Sequence, residues 1–337
     1  MFKKKSVTMA DIAHELQISA VSVSKALQNK DGISAALRDK IIQKADELGY
    51  RYNISAQNFK VGRTQNIGIL ISERFKKSHG SFYWDLCDII GVALQEYHYF
   101  SILETVSCTA EQNRELPVLL QSNKVDGLVV LGQLESAYLN RLTAENKPLV
   151  LTDFYNDNPL FDTVTTDNFY SSYLITNHLL EQGHRAIGFL GSIHATSSIL
   201  DRYLGFYKAM LEHRCDINPA WILPDRDADG TLQIDALPFP LPTAFVCNCD
   251  HAAYLLIQAL HQQNIDVPRM VSVVGFDNDF YATLCVPPLT TVQVDLHALA
   301  TSSVDYLMTQ LSGKRQWVGR KVVPGTLILR DSVQTIQ

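Results

Sequence analysis

The strongest constraint on this chain is a change of rhythm near residue 67. From there on, short apolar runs alternate with longer amphipathic segments. The runs are Ile67–Ile71, Phe100–Glu104, Gly127–Leu131, Leu149–Leu151, Ala186–Leu190, Ala244–Cys247 and Val271–Val274. Between them lie Trp84–Tyr97, Tyr170–Gln182, Tyr203–His213 and Ala252–Gln263. A strand covered on both faces reads as a continuous apolar run, and parallel neighbours need a helical crossover. The alternation therefore predicts an α/β fold with parallel sheets. Two consecutive sets of such units predict two lobes with a cleft between them. Ligands of open α/β sheets bind beyond the carboxyl ends of the strands.

The first 50 residues follow a different, helical period. Thr8 is placed to cap a helix whose inner face carries Ile12, Ala13 and Leu16. Ser19 caps a second helix with Val23, Ala26 and Leu27 inside. Ser34 caps a third with Leu37, Ile41, Ala45 and Leu48 inside, and Gly49 stops it. Two short helices joined by a tight turn, supported by a third, predict an all-α helix-turn-helix unit.

Charge separates the same two regions. The chain of 337 residues has 29 Lys/Arg against 35 Asp/Glu, net −6. Residues 1–65 hold 11 basic and 6 acidic residues, net +5, which leaves 18 and 29, net −11, for residues 66–337. The overall balance disfavours nucleic acid, whereas the split predicts a small basic module on an acidic body. No apolar run reaches the roughly 18–20 residues a membrane span needs. The lysines at the start have no apolar stretch behind them, unlike a secretory leader. The six cysteines (Cys87, Cys108, Cys215, Cys247, Cys249, Cys285) have no metal or redox spacing and are expected to be reduced thiols of a cytoplasmic protein.

Motifs along almost the whole chain resemble those of the lac repressor/galactose repressor (LacI/GalR) family. They include Thr8-Met-Ala-Asp-Ile-Ala, Ile18-Ser-Ala-Val-Ser-Val-Ser-Lys-Ala-Leu27 and Gly49-Tyr-Arg. In the body they include Val125-Asp-Gly-Leu, His178-Leu-Leu-Glu-Gln-Gly-His-Arg185, Arg202-Tyr-Leu-Gly205, Val273-Val-Gly-Phe-Asp277, Leu289-Thr-Thr291 and Leu327-Ile-Leu-Arg330. The resemblance implies a DNA-binding headpiece over 1–52, a hinge over 53–65 and a two-lobed sensor of the periplasmic-binding-protein-like (type I) kind over 66–337. The N-lobe would comprise about 66–164 and 293–322, the C-lobe about 165–292 and 323–337, with chain crossings near Thr165, Val292 and Val323.

By match to the family, Ala20, Val21 and Lys25 face base edges from the recognition helix. Lys25 is able to donate to guanine, whereas Ala20 and Val21 offer only van der Waals contact. Thr8, Ser19, Ser22 and Ser24 suit phosphate contacts. Leu37 stands where the family usually has Thr, so one such contact is expected to be missing. Asn53, Ala56 and Gln57 match the hinge segment. Phe59 replaces the family's minor-groove leucine and is expected to wedge between base steps.

For the effector the resemblance implies Asp277, Arg202 and Asp153, with Phe154 as a stacking ring and Tyr83 of the Phe82-Tyr83 pair as a wall. Thr196 and Ser198 are read as loop hydroxyls before Arg202. Cys249 stands where the family often has Asn, and a thiol is a weak hydrogen-bond partner; Asn248 is expected to take over or leave that contact. The segment Pro224–Pro242 fits the family poorly.

The implied function is a repressor that binds double-stranded operator DNA as a homodimer, without cofactor, under a small-molecule effector. A sugar is expected, with a nucleobase or nucleoside as the alternative. A solute-binding protein would lack the basic head. An enzyme is not expected: no Gly-rich phosphate loop, Gly-x-Ser-x-Gly or His-Glu-x-x-His is present. Asp153 and Asp277 beside Arg202 read as hydroxyl binders rather than a glycosidase pair. The lac repressor's leucine-repeat tail is not seen after Arg330, so a dimer rather than a tetramer is expected.

Overall fold

The computed structural model describes residues 7–27, 29–50, 63–78, 82–227, 230–314 and 319–336. The chain divides into two compact units, Met1–Thr64 and Gln65–Gln337.

The first unit is built from α1 (Met9–Leu16), α2 (Ala20–Leu27) and α3 (Ala35–Leu48). Thr8 and Asp11 close a reciprocal capping box at the start of α1. Ser19 Oγ accepts from Ser22 N at 3.0 Å at the start of α2. Gln17 and Gly49 end α1 and α3 in left-handed conformations. Ile12, Ala13, Val23, Ala26, Ile41 and Ala45 form the core, with Leu37 and Leu48 packed on its edge. The hinge calls Asn53, Ala56, Gln57 and Phe59 lie outside the described residues.

The second unit holds two parallel sheets. The first comprises β1 (Asn66–Ser72), β2 (Phe100–Val106), β3 (Gly127–Leu131), β4 (Leu149–Thr152), β5 (Asp162–Thr166) and β11 (Arg320–Val323). Their order is β11-β5-β4-β3-β1-β2. The second comprises β6 (Ile187–Leu190), β7 (Ile222–Leu223), β8 (Ala244–Cys247) and β9 (Ser272–Val274), in the order β7-β6-β8-β9. A third pair, β10 (Thr291–Gln293) and β12 (Thr326–Ile328), is antiparallel. Helices α4 (Phe82–Glu96), α5 (Asn168–Glu181), α6 (Ser197–Glu212), α7 (Asp250–Gln262) and α8 (Leu296–Leu311) cover these sheets.

The chain passes between the sheets three times. It leaves β5 for α5, leaves β10 for α8, and runs from β11 into β12. Isolated bridges Val274–Thr290 and Asp277–Gln293 join β10 to the end of β9. Helix α8 then packs on β3, β4 and β5 of the first sheet.

Helices α5 and α6 cross very closely. A Cβ on Gly205 would meet Phe169 O at 2.1 Å and Tyr173 N at 2.9 Å. Both obstacles are backbone, so the helices must separate to admit a methyl group. Gly205→Ala should destabilise this unit by about 1–3 kcal/mol. A urea midpoint equal to that of the parent chain would show that the crossing is slack.

Candidate functional site

On the first unit, one face of α2 remains uncovered while Val23 and Ala26 are buried behind it. Ala20, Val21 and Lys25 are exposed on that face, and Ser24 is half-buried beside them. Val21 is 65% exposed. The spacing 20, 21, 24, 25 puts these residues on one side of the helix. Ser19 and Ser22 sit at its N-terminus with their hydroxyls 2.9 Å apart. Thr8 behaves differently from the expectation. Its hydroxyl donates to Asp11 Oδ2 at 2.7 Å, so the proton a phosphate would take is spent inside the capping box.

On the second unit, a cavity at the carboxyl ends of the strands is lined by residues from both lobes. Phe75, Phe82, Tyr83 and Asp153 come from the first; Arg202, Cys249, His251, Asp277 and Asp279 are among those from the second. Asp153 directly follows β4 and Asp277 lies three residues beyond β9. Both have positive φ, 72° and 108°, which costs an ordinary residue roughly 1–3 kcal/mol and persists mainly at functional positions. Their amides nevertheless stay in the ladders. Asp153 N donates to Val164 O and Asp277 N to Val292 O, each at 2.8 Å. The backbone is thus fixed while each carboxyl group turns into the cavity.

Arg202 is anchored on three sides. Its Nε donates to Asn168 Oδ1 at 2.8 Å, its Nη1 to Asn248 O, and its guanidinium lies 3.7 Å over the Phe276 ring. Its Nη2 lies 3.3 Å from Asp277 Oδ1. That contact is an ion pair without hydrogen-bond alignment, and Asp277 Oδ1 has no hydrogen-bond partner. Tyr83 donates to Asp153 Oδ2 at 2.8 Å, while Asp153 Oδ1 is buried with no partner. One oxygen of each carboxyl group is thus buried without a hydrogen-bond partner.

Burial governs the titration of these groups. It pushes Asp277 up to about 8, an effect that Arg202 opposes and the charges of Asp279 and Asp153 reinforce. It raises Asp153 too, against Arg202 and the Tyr83 hydrogen bond. Asp279 is pushed up to about 6, mainly by burial. Buried Asp250 is also raised; it accepts from Thr291 Oγ1 at 2.6 Å and from Asp279 N at 2.9 Å. A Cβ on Gly275 would lie 2.2 Å from Asp250 Oδ1, so only glycine admits this carboxyl beneath the site.

Several expectations need correction. Phe154 does not stack in the cavity. It is 1% exposed and packs with Leu70, Val130 and Leu151 on the opposite side of the sheet. The reason is strand alternation: Asp153 turns toward the cavity, so its neighbour turns into the core. Thr196 and Ser198 both line the cavity, Thr196 as the last loop residue and Ser198 already inside a helix. Helix α6 starts at Ser197, and Thr196 caps it by accepting from Ile199 N at 3.0 Å. Asn248 lines the cavity, yet its amide protons go to Leu190 O at 3.3 Å and Asp225 Oδ2 at 2.6 Å. Cys249 also lines it, with Sγ accepting from Ala252 N at 3.4 Å as the cap of α7.

Asp279, His251 and Asn168 were not anticipated. Asp279 follows Asp277 by two residues, a spacing that could have signalled a second acid, while Asn168 left no signal apart from ending a polar run. The poorly fitting segment after Pro224 carries Asp225 and Arg226, a buried pair 2.7 Å apart. Burial pushes Asp225 up, but the hydrogen bond and charge of Arg226, together with Ser192, outweigh it and hold the carboxyl at about 2.

The lobes also touch beside the cavity. Ser197 N donates to Gln133 Oε1 at 3.1 Å, and Tyr155 N donates to Ser197 Oγ at 3.1 Å. Asp201 accepts from Tyr155 OH at 2.8 Å and from Arg320 Nη2 at 3.0 Å. Among the described residues, no group of His, Cys, Asp and Glu is arranged to hold a metal ion, and no helix is long and apolar enough to cross a membrane.

Residues 8–53 match the profile of bacterial regulatory proteins of the lacI family, and residues 176–333 match a periplasmic binding protein-like domain. The HTH-type transcriptional repressor PurR of Photobacterium profundum is 28% identical over 340 residues, covering 98% of this chain and 99% of that protein. Among solved structures, the lac repressor dimer bound to operator and the anti-inducer ONPF superposes with a TM-score of 0.79. It is 22% identical and covers 98% of this chain and 100% of that one. A complex of the transcriptional regulator CelR with cellobiose gives 0.69 at 20% identity, covering 97% and 99%. The two profiles follow one another in the order of the two units described above, and the repressor relative runs the length of both. The chain thus carries a lacI-family head at residues 8–53 and a periplasmic binding protein-like domain, and along its whole length it is similar to HTH-type transcriptional repressors.

Proposed function

We propose that this chain is a repressor that binds a palindromic operator as a dimer and is controlled by a small effector in the interlobe cavity. The observation that carries the reading is the pairing of Asp201 and Arg202 on α6. Asp201 is tied to Tyr155 and Arg320 of the other lobe, and Arg202 lines the cavity. A ligand that engages Arg202 therefore biases the same helix that sets the lobe arrangement. Such a shared element is what coupling between two sites requires.

A sugar is the favoured effector. Carboxylates and a guanidinium together with the aromatic rings of Phe75, Phe82 and Tyr83 suit hydroxyl groups on an apolar ring. The cellobiose complex among the structural neighbours supports this class. A nucleobase or nucleoside is the second reading. Asp277, pushed up to about 8, both donates and accepts near neutral pH, as a base edge requires. On DNA, Ala20, Val21 and Lys25 read bases while Ser19, Ser22 and Ser24 contact phosphates. Asn53, Ala56, Gln57 and Phe59 form the hinge contact. The lac repressor dimer on its operator supports the two-headed arrangement.

Lys25→Ala tests the reading surface. We expect a loss of about 1–3 kcal/mol in operator binding, concentrated at one base pair of each half-site. Fluorescence anisotropy on a duplex selected from a randomised palindromic pool measures it. Equal weakening on every sequence would make Lys25 a phosphate contact instead.

A further inference from the structure

We infer that the outer faces of α5 and α6 form a docking surface for a second copy of this chain, joining two operator-binding dimers into an assembly of four. The pairing stands on these two helices alone; only the count of four rests on the dimer proposed above.

Helix α6 is apolar on both sides. Ile199, Phe206, Ala209 and Met210 are buried on its inner side. Leu200, Leu204, Tyr207 and Leu211 follow one another along its outer side at spacings of four, three and four residues, so they form a single stripe. Tyr170 and Leu174 widen it on α5. These six side chains are between 36% and 55% exposed. The outer face of a surface helix is ordinarily polar, as on α8, where His297, Thr301 and Asp305 are exposed. A helix that is apolar all round suits a buried setting instead. Taking about 150–200 Å² for each fully exposed side chain, the six leave about 400–500 Å² uncovered, within the range where apolar patches mark interaction sites.

The stripe matches itself, which is what a like copy supplies. A two-fold axis crossing α6 midway between Leu204 and Tyr207 sets Leu200 of one copy against Leu211 of the other, and Leu204 against Tyr207. Gly205 stands at that level, where α6 touches α5 between Phe169 and Tyr173. The same axis therefore sets Tyr170 against Leu174. The charges beside the stripe are satisfied within each copy. Lys208 pairs with Glu212 and lies 5.0 Å over the Tyr173 ring, and Tyr173 OH donates to Glu212 Oε2 at 2.7 Å. Covering this face strands neither charge, so the usual cost of burying a lone ion does not arise. Two copies together cover about 800–1,000 Å² of apolar side chain, the lower limit for a specific contact, so the association is weak and needs micromolar chain.

Sedimentation velocity of the full chain from about 1 to about 100 µM tests it. The mass should rise from two chains to four across that range. Leu204→Glu and, separately, Leu211→Glu put a carboxylate into the stripe at exposed positions. Each should weaken the step by about tenfold or more, while the melting temperature and operator affinity stay at the parent values. Thr301→Glu makes the same change on the polar outer face of α8 and should leave the step intact. A parent that stays at two chains throughout overturns the inference. So does a four-chain step that survives both glutamates, or one that Thr301→Glu abolishes equally. One chain at the lowest concentration removes the dimer reading instead. The pairing of α5 and α6 is then upheld by a step from one chain to two that both glutamates weaken, and overturned by a step that neither weakens.

Discussion

Replacing Arg202 with alanine should abolish the effector response and destabilise the unliganded sensor by about 3–5 kcal/mol. The guanidinium makes a fork of contacts: Asn168 Oδ1 at 2.8 Å, Asn248 O, the Asp277 carboxyl at 3.3 Å and the Phe276 face at 3.7 Å. Its removal takes away the guanidinium whose charge opposes the effect of burial on Asp277 and Asp153. It also opens a void between α5, α6 and the end of β9. Arg202→Lys separates the two consequences. A lysine retains the charge but cannot serve Asn168, Asn248 and Asp277 together. We expect Arg202→Lys to regain part of the stability and little of the effector affinity. Urea unfolding and calorimetry read the two effects independently. Full effector response in the lysine variant would mean that only charge matters at this position.

Asp277→Asn should change how stability depends on pH. The folded carboxyl keeps its proton up to about pH 8, whereas an unfolded aspartate releases it near 4. Between these values the folded state binds more protons, so this residue makes stability fall as pH rises from about 4 to 8. Asp225 acts in the opposite direction and in another window. Held at about 2, it contributes fully above about pH 4, and that contribution is lost as pH falls toward 2. The Asn variant removes the first slope and leaves the second. Its unliganded melting temperature should exceed that of the parent by several degrees at pH 8, with the gap closing toward pH 5. Effector affinity should fall, because an amide is a weaker partner than a carboxyl for hydroxyl donors. Parallel melting curves across pH 5–8 would show that Asp277 is not the group responsible.

Much of this architecture was legible in the sequence because burial on both faces leaves a plain mark. Gly127–Leu131 and Ala244–Cys247 form strands with the bounds their apolar runs suggest. Strand β5, Asp-Thr-Val-Thr-Thr, was not legible. Its five residues are all buried, and Asp162 and Thr165 find partners far away in sequence, Gln310 and Arg320, which a local pattern cannot reveal. The start of α6 was misplaced for a related reason. Thr196 and Ser198 read as loop, whereas the Thr196 hydroxyl caps the helix and Ser198 already lies within it. At the site, Asp153, Arg202 and Asp277 were placed through the family resemblance, and the cavity brings them together. Phe154 failed because adjacency in sequence was taken for adjacency in space, and alternation at a strand end separates the two. His251 depends on how the start of α7 meets the turn after β9, a tertiary matter with no short-range signal, whereas the two-residue spacing from Asp277 was an available sign of Asp279.

Occupation of the cavity should change operator binding. The direct measurement is the operator dissociation constant of the full chain at fixed salt, with and without the sugar or nucleoside giving the largest thermal shift, in the parent and in Asp153→Asn. We expect at least a tenfold change for the parent, about 1.4 kcal/mol of coupling, and almost none for the variant at the same compound concentration. Equal operator affinity with and without a compound shown to occupy the cavity would contradict it.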